Sequence, residues 1–171
     1  MSALVVGVGD CRVTNDPETV LVTYALGSCI GVTVHDPVAG VGGLLHFMLP
    51  ESGLDRAKAE HNPFMFADTG IPLLFHSAYG MGAEKHRMVV TASGGAQMMD
   101  EVGVFNIGKR NYLAMRKIFW KAGVMVKAEN VGGLASRTVR LEVASGRVFM
   151  REAGEQEQDV LVSLSPIGRS L

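Results

Sequence analysis

The sequence predicts an α+β fold in one domain. Three observations predict it. Runs rich in β-branched residues crowd the first half of the chain, two helical periodicities arrive later, and strand signals separate those helices without a regular βαβ alternation. At 171 residues and 47% hydrophobic content, the chain is long enough to bury a substantial core.

Residues 4–7 predict a first strand, and Asn15-Asp16-Pro17 predicts a turn. Residues 19–24 and 30–35 predict two strands on either side of a small-residue turn, Leu26-Gly27-Ser28-Cys29. Residues 41–48 predict another strand, ended by Leu49-Pro50, and the polar, aperiodic stretch 51–63 predicts a surface loop. Asp68 and Thr69 are candidate N-caps for a helix to about Tyr79, with Ile71, Leu74, Phe75 and Ala78 on one face. Residues 87–91 return to strand before the Ser93-Gly94-Gly95 loop. A second helix over 109–122 carries the apolar stripe Tyr112, Met115, Phe119 and Ala122 and closes at Gly123. Residues 124–128 predict a strand, and 138–143 with 147–151 predict a hairpin around Ser145-Gly146. The domain is expected over residues 1–154, with 155–171 as a C-terminal tail in which 160–164 predicts an edge strand.

Composition narrows the function classes. With 16 basic and 17 acidic residues there is no electrostatic case for nucleic acid or an anionic membrane. No segment reaches the length of a membrane span, and the apolar run over residues 3–8 is too short for a signal-peptide core. Two cysteines, Cys11 and Cys29, make no disulfide framework, so a reduced, cytoplasmic setting is expected. Gly7-Val8-Gly9 has Arg12 where a dinucleotide fingerprint needs its third glycine, and Ser93-Gly94-Gly95 lacks the ending of a phosphate loop. Cysteines and histidines lack zinc spacing, so neither metal nor cofactor is expected. The ten methionines, Met98 and Met99 among them, read as core filler, with an adaptable binding surface as the minority reading.

Chemistry concentrates at Cys29, with His46 on the next apolar run. A thiolate is the reactive form of cysteine, and a nearby imidazole is the usual group that generates it, which predicts a depressed thiol pKa. The glycines around Cys29 allow a sharp turn and close approach of a carbonyl. On spacing alone, a buried structural cysteine is the commoner explanation, and the same holds for a core histidine and a strand threonine.

The wording around these residues shifts that balance. Leu26-Gly27-Ser28-Cys29, Asp36-Pro37-Val38-Ala39-Gly40-Val41-Gly42-Gly43 and His46-Phe47-Met48-Leu49-Pro50 resemble the CheD family, the chemoreceptor glutamine deamidases of bacterial chemotaxis. The resemblance continues in order through Phe66-Ala67-Asp68-Thr69-Gly70-Ile71-Pro72, Gly94-Gly95-Ala96-Gln97-Met98 and Asn106-Ile107-Gly108-Lys109-Arg110-Asn111. It ends with Glu129-Asn130-Val131-Gly132-Gly133, Arg137-Thr138-Val139-Arg140 and Ser145-Gly146-Arg147-Val148. Tyr24, where members carry a smaller aliphatic residue, and the looser stretch 87–93 are the departures.

The resemblance implies a layered α/β sandwich with a thiol site similar to that of the cytotoxic necrotizing factor deamidase toxins. It implies Cys29 as nucleophile, His46 as general base and acid, and Thr23 as the group that orients the imidazole. The Cys29 backbone N–H, with Ser28 and Gly27 beside it, is the candidate oxyanion and substrate-binding element. Cys11 is expected to be inert, and His35, His61, His76 and His86 to be surface or helix residues. The implied substrates are glutamines of methyl-accepting chemotaxis receptors, with a CheC-type phosphatase as a second partner. The rival readings are a non-catalytic adaptor that binds receptors and CheC, and a transglutaminase-like acyl-transfer enzyme.

Overall fold

Alternation along two neighbouring strands sorts the apolar side chains into two cores. In the computed structural model, which describes residues 1–98 and 106–163, the chain forms two five-stranded sheets. The first runs β1 (Ser2–Val5), β3 (Thr19–Leu26), β8 (Arg137–Glu142), β9 (Val148–Glu152), β10 (Gln158–Asp159). The second runs β2 (Asp10–Thr14), β5 (Val41–Phe47), β4 (Ile30–Asp36), β6 (Val89–Gly94), β7 (Ala128–Val131). Among the described residues four α-helices accompany them: α1 (Arg56–His61), α2 (Ala67–Gly80), α3 (Ile107–Ala122) and α4 (Val160–Ser163).

Successive residues of a strand point to opposite faces. Ile30, Val32 and Val34 of β4, with Leu45 and Phe47 of β5, pack against Ile71, Leu74 and Phe75 of α2 and Met115 and Phe119 of α3. Leu44, between them, packs with Leu21 and Leu26 of β3 and with Val139 and Leu141 of β8. The layers are therefore sheet, sheet, helices, a mixed α/β sandwich in one domain. Leu44 and His46 share the intersheet face of β5, which places an imidazole in a dry seam.

The chain crosses from the first sheet to the second between β3 and β4, through Gly27-Ser28-Cys29. A bulge in β3 sets up this crossing. Its register against β8 shifts between Thr23 and Leu26, and Ala25 adopts a left-handed φ of 55°. The extra residue lets Thr23 and Leu26 both face inward while Tyr24 and Ala25 both face solvent. Across the turn, Gly94 at the end of β6 has φ +115°, and a Cβ there would stand 2.1 Å from the Cys29 carbonyl oxygen. Gly94→Ala is expected to destabilise the protein by about 3 kcal/mol, because backbone must move and an L residue resists that conformation. A thermal melt checks this, and the wild-type Tm in the variant would refute it.

Several expectations need correction. The stretch 51–63 is not a bare loop: it holds α1 between two short 3-10 turns, capped by the Asp55 side chain accepting from Lys58 N–H. No residue of α1 is buried, so it writes no apolar periodicity. Helix α2 starts after Phe66 rather than on a side-chain cap, and Asp68 instead accepts from Ser52 while Thr69 donates to the Pro63 carbonyl. Strand β2, over Asp10–Thr14, is a strand the sequence reading does not contain, and it runs directly into the expected Asn15-Asp16-Pro17 turn. The strand expected at 124–128 lies at Ala128–Val131, because Val124 and Val126 pack onto the helix-side core before pairing begins. Edge pairing near the C-terminus falls at Gln158–Asp159 on β9, and Val160–Ser163 is helical instead. Leu164 of that expected strand, and Met99, lie outside the described residues.

Candidate functional site

Thr23 and His46 meet across the seam between the sheets. Thr23 Oγ1 lies 2.6 Å from the Val6 carbonyl oxygen and 2.8 Å from His46 Nδ1. The hydroxyl has one proton, and a carbonyl oxygen can only accept, so that proton goes to Val6. The second contact must then be Nδ1–H donating to Thr23 Oγ1. This fixes the neutral tautomer and leaves the Nε2 lone pair free. That Nε2 is buried without a hydrogen-bond partner.

The β ladder brings Cys29 to the same face. His46 of β5 pairs with Gly31 of β4, and Gly31 pairs with Ser93 of β6. Directly opposed residues project to one face, so His46 and Ser93 flank a position with no side chain. A Cβ on Gly31 would lie 3.5 Å from Thr23 Cγ2 and 3.0 Å from Leu26 Cδ1. Cys29 precedes Gly31 by two residues and packs against the intersheet core, on the His46 side. No hydrogen bond joins its thiol to the ring, since Nε2 is unpartnered. Ser93 Oγ is also buried without a partner. Two orphaned polar atoms in one row are a signal that only strand pairing reveals.

Burial sets the protonation states and corrects the expected depressed thiol. It pushes the Cys29 thiol up to about 11, against a smaller opposing pull from the backbone N–H of Cys29 itself. Burial likewise lowers His46 to about 4. The resting pair is therefore neutral thiol and neutral imidazole, not a thiolate–imidazolium pair. Cys11 is pushed further, to about 12, by burial first and by the Asp10 charge second, with Arg12 opposing. Cys11 pairs with Leu45 and packs on the helix-side core, away from His46. Alkylation of Cys29 is thus expected to accelerate by about tenfold per pH unit from neutrality towards its pKa, and to stay ahead of Cys11. A pH series with iodoacetamide and peptide mass mapping checks this. A plateau near neutrality would reveal a preformed ion pair.

Three consecutive carbonyls of the turn are tied down from one side. Gly27 O accepts from Ala96 N–H at 2.8 Å, Cys29 O from Gly95 N–H at 2.8 Å, and Ser28 O from Asn111 Nδ2 at 3.0 Å. The C=O and N–H of a trans peptide point in opposite directions. The N–H groups of Ser28 and Cys29 thus face away from these anchors, and among the described residues neither donates to another residue. That leaves them available to an anionic oxygen.

Asn111 was missed as a site residue. It replaces an apolar residue on the buried stripe of α3, one turn before Met115, and that substitution is the readable signal. Tyr112 and Ala122 of the expected stripe are half-buried and exposed. His35 is no surface residue either: it is buried on β4, with Nε2 2.8 Å from the Val143 carbonyl oxygen. His61, His76 and His86 are exposed as expected.

Comparison with known proteins identifies the lineage of this arrangement. The family profile described as CheD chemotactic sensory transduction matches residues 48–152. The chain belongs to the CheD family. A CheD protein of Solibacter usitatus, named "Probable chemoreceptor glutamine deamidase CheD", is 57% identical over 158 residues, 92% of this chain and 94% of that protein. Proteins of the same activity name are 50% identical in Syntrophus aciditrophicus, over 90% of this chain and 96% of that protein, and 38% identical in Pyrococcus horikoshii, over 91% and 95%. The profile match begins just after His46, whereas the alignment with the Solibacter CheD covers nearly the whole chain. No helix among the described residues is long and apolar enough to cross a membrane.

Proposed function

We propose that this CheD protein deamidates glutamines of methyl-accepting chemotaxis receptors through a thioester on Cys29. The names of its relatives supply the reaction and the substrate class. The observation that carries the residue assignment is the fixed tautomer of His46, held through Thr23 by the Val6 carbonyl, with its Nε2 lone pair unspent.

The Cys29 sulfur attacks the side-chain carboxamide carbon as its proton passes to His46 Nε2. The Cys29 and Ser28 N–H groups stabilise the oxyanion, and the Gly27 carbonyl anchor keeps the turn in that orientation. The imidazolium then protonates the nitrogen, and ammonia leaves a thioester. His46 next takes a proton from water, which attacks the thioester and releases glutamate, and the sulfur recovers its proton from the imidazolium. Thr23 holds the ring angle throughout, the task that a carboxylate performs in other triads. This use of a cysteine and a histidine parallels the cytotoxic necrotizing factor deamidases. The chemistry needs no cofactor or metal, and a reduced cytoplasm suits its free thiol.

A receptor helix and a CheC-type protein would each present a side chain to the Cys29 site and so compete for it. Incubation with a receptor cytoplasmic fragment should release ammonia and raise the mass of selected glutamine peptides by about one dalton each. Adding a cognate CheC should slow that release, and excess receptor should restore it. Binding without ammonia release would favour the adaptor reading, and cross-linked products would favour a transglutaminase.

A further inference from the structure

Asn111 is fully buried on the apolar stripe of α3. Its Nδ2 donates to Ser28 O at 3.0 Å and to Met48 O at 2.9 Å. Two carbonyl acceptors settle which way the amide faces, because only its nitrogen carries protons. Its Oδ1 is left buried with no partner. Such an orphan carries a desolvation cost that a leucine on this stripe would avoid. The gain lies in what the two protons hold. One carbonyl belongs to the peptide that leads into Cys29. The other lies two residues beyond His46. A single amide therefore ties the nucleophile's turn to the strand of the base.

The Ser28 carbonyl and the Cys29 N–H are the two ends of one peptide unit. Drawing the oxygen towards α3 aims the N–H away from the helix. We propose that Asn111 is a positioning residue of the deamidation site: it fixes the Ser28–Cys29 peptide so that the Cys29 N–H meets the oxyanion formed when sulfur adds to a carbonyl. The proposal rests on the reading in which Cys29 is the nucleophile. It adds a residue that touches no substrate yet sets transition-state stabilisation.

Two substitutions test it in the full-length protein. Asn111→Asp keeps the shape and loses both donors, while Asn111→Leu loses them without adding charge. Three rates or affinities are compared. The first is ammonia release from a receptor fragment. The second is binding of a peptide aldehyde that mimics the glutamine side chain. There the sulfur bonds to the aldehyde carbon, the thiol proton passes to His46 Nε2, and the former carbonyl oxygen becomes the anionic oxygen of the hemithioacetal. The third is modification of Cys29 by methyl methanethiosulfonate, which creates no oxyanion. Removal of oxyanion positioning should lower kcat by about 100-fold with KM changed less than about threefold, and should weaken the aldehyde by a comparable factor. Methanethiosulfonate modification should change by less than about threefold.

Equal losses in all three measurements would overturn the proposal, because they would mean that Asn111 merely shapes access to the thiol. Variants that match the wild type would overturn it as well, and so would variants that both lose the cooperative melting transition. If the wild type itself neither releases ammonia nor binds the aldehyde, the deamidase reading fails, and this proposal falls with it. A working wild type beside unaffected variants isolates the failure to Asn111.

Discussion

Cys29→Ala is expected to abolish ammonia release, by at least about 10³-fold, since no other group can form the thioester. The substitution removes one sulfur from the edge of the intersheet core, so the fold should survive and receptor binding should persist. Cys11→Ala is the matched control. That thiol points to the helix-side core, and burial and the Asp10 charge push it up to about 12. Its loss should leave most activity intact. Ammonia assays on the two variants decide the point. Substantial turnover in Cys29→Ala would sink the mechanism.

His46→Ala should cost about 10²- to 10⁴-fold, because proton transfer to and from the ring enters both acylation and deacylation. Thr23→Val should cost less. It keeps the volume but removes the proton that satisfies Val6 and the oxygen that receives Nδ1–H. The ring then loses its fixed tautomer while keeping its basicity. Stability should also fall in Thr23→Val, by about 1–3 kcal/mol, since two buried polar atoms lose their partner. Equal losses from the two variants, measured as kcat on folded protein, would give Thr23 a direct chemical role. The pH profile carries a sign of its own. His46 must be neutral to accept a proton, and burial holds it at about 4. Activity should therefore persist on the acid side until pH falls through that value. A loss centred near the ordinary histidine value would contradict the buried, uncharged ring.

Much of the fold is written in the amino-acid sequence. The β-branched runs around Cys29 became β3 and β4, and the face of α2 buries the expected Ile71, Leu74, Phe75 and Ala78. Strands announce themselves when one face is wet, or when both are apolar. Helix α1 did neither, because none of its six residues is buried and Ala59 alone leans on the small cluster of Leu49, Phe66 and Ile107. Strand β7 was displaced because Val124 and Val126 bury themselves against helices without a pairing partner. For the candidate site, local sequence named Cys29, His46 and Thr23 through resemblance. It could not give the protonation state, since desolvation depends on what the other sheet places overhead. Nor could it find Ser93, whose neighbours lie far along the chain, and it passed over Asn111, whose only trace is a polar break in the apolar stripe of α3. The bulge at Ala25 was equally silent, because alanine carries no signature of a left-handed backbone.

The seam between the two sheets gives this chain an unusual mechanical property. Thr23 belongs to one layer and His46 to the other, and Cys29 sits on the strand of chain that steps between them. The ring's anchor is thus a strut across a joint, and its length reads out the separation of the layers. Leu44 and Leu141 are the spacers that hold that joint open. Anything that lets the layers approach or slide, whether a shaved spacer, applied pressure or a partner that levers one sheet, acts on the imidazole without touching the cleft. In the proposed mechanism, interlayer compressibility would thereby tune the angle of the base.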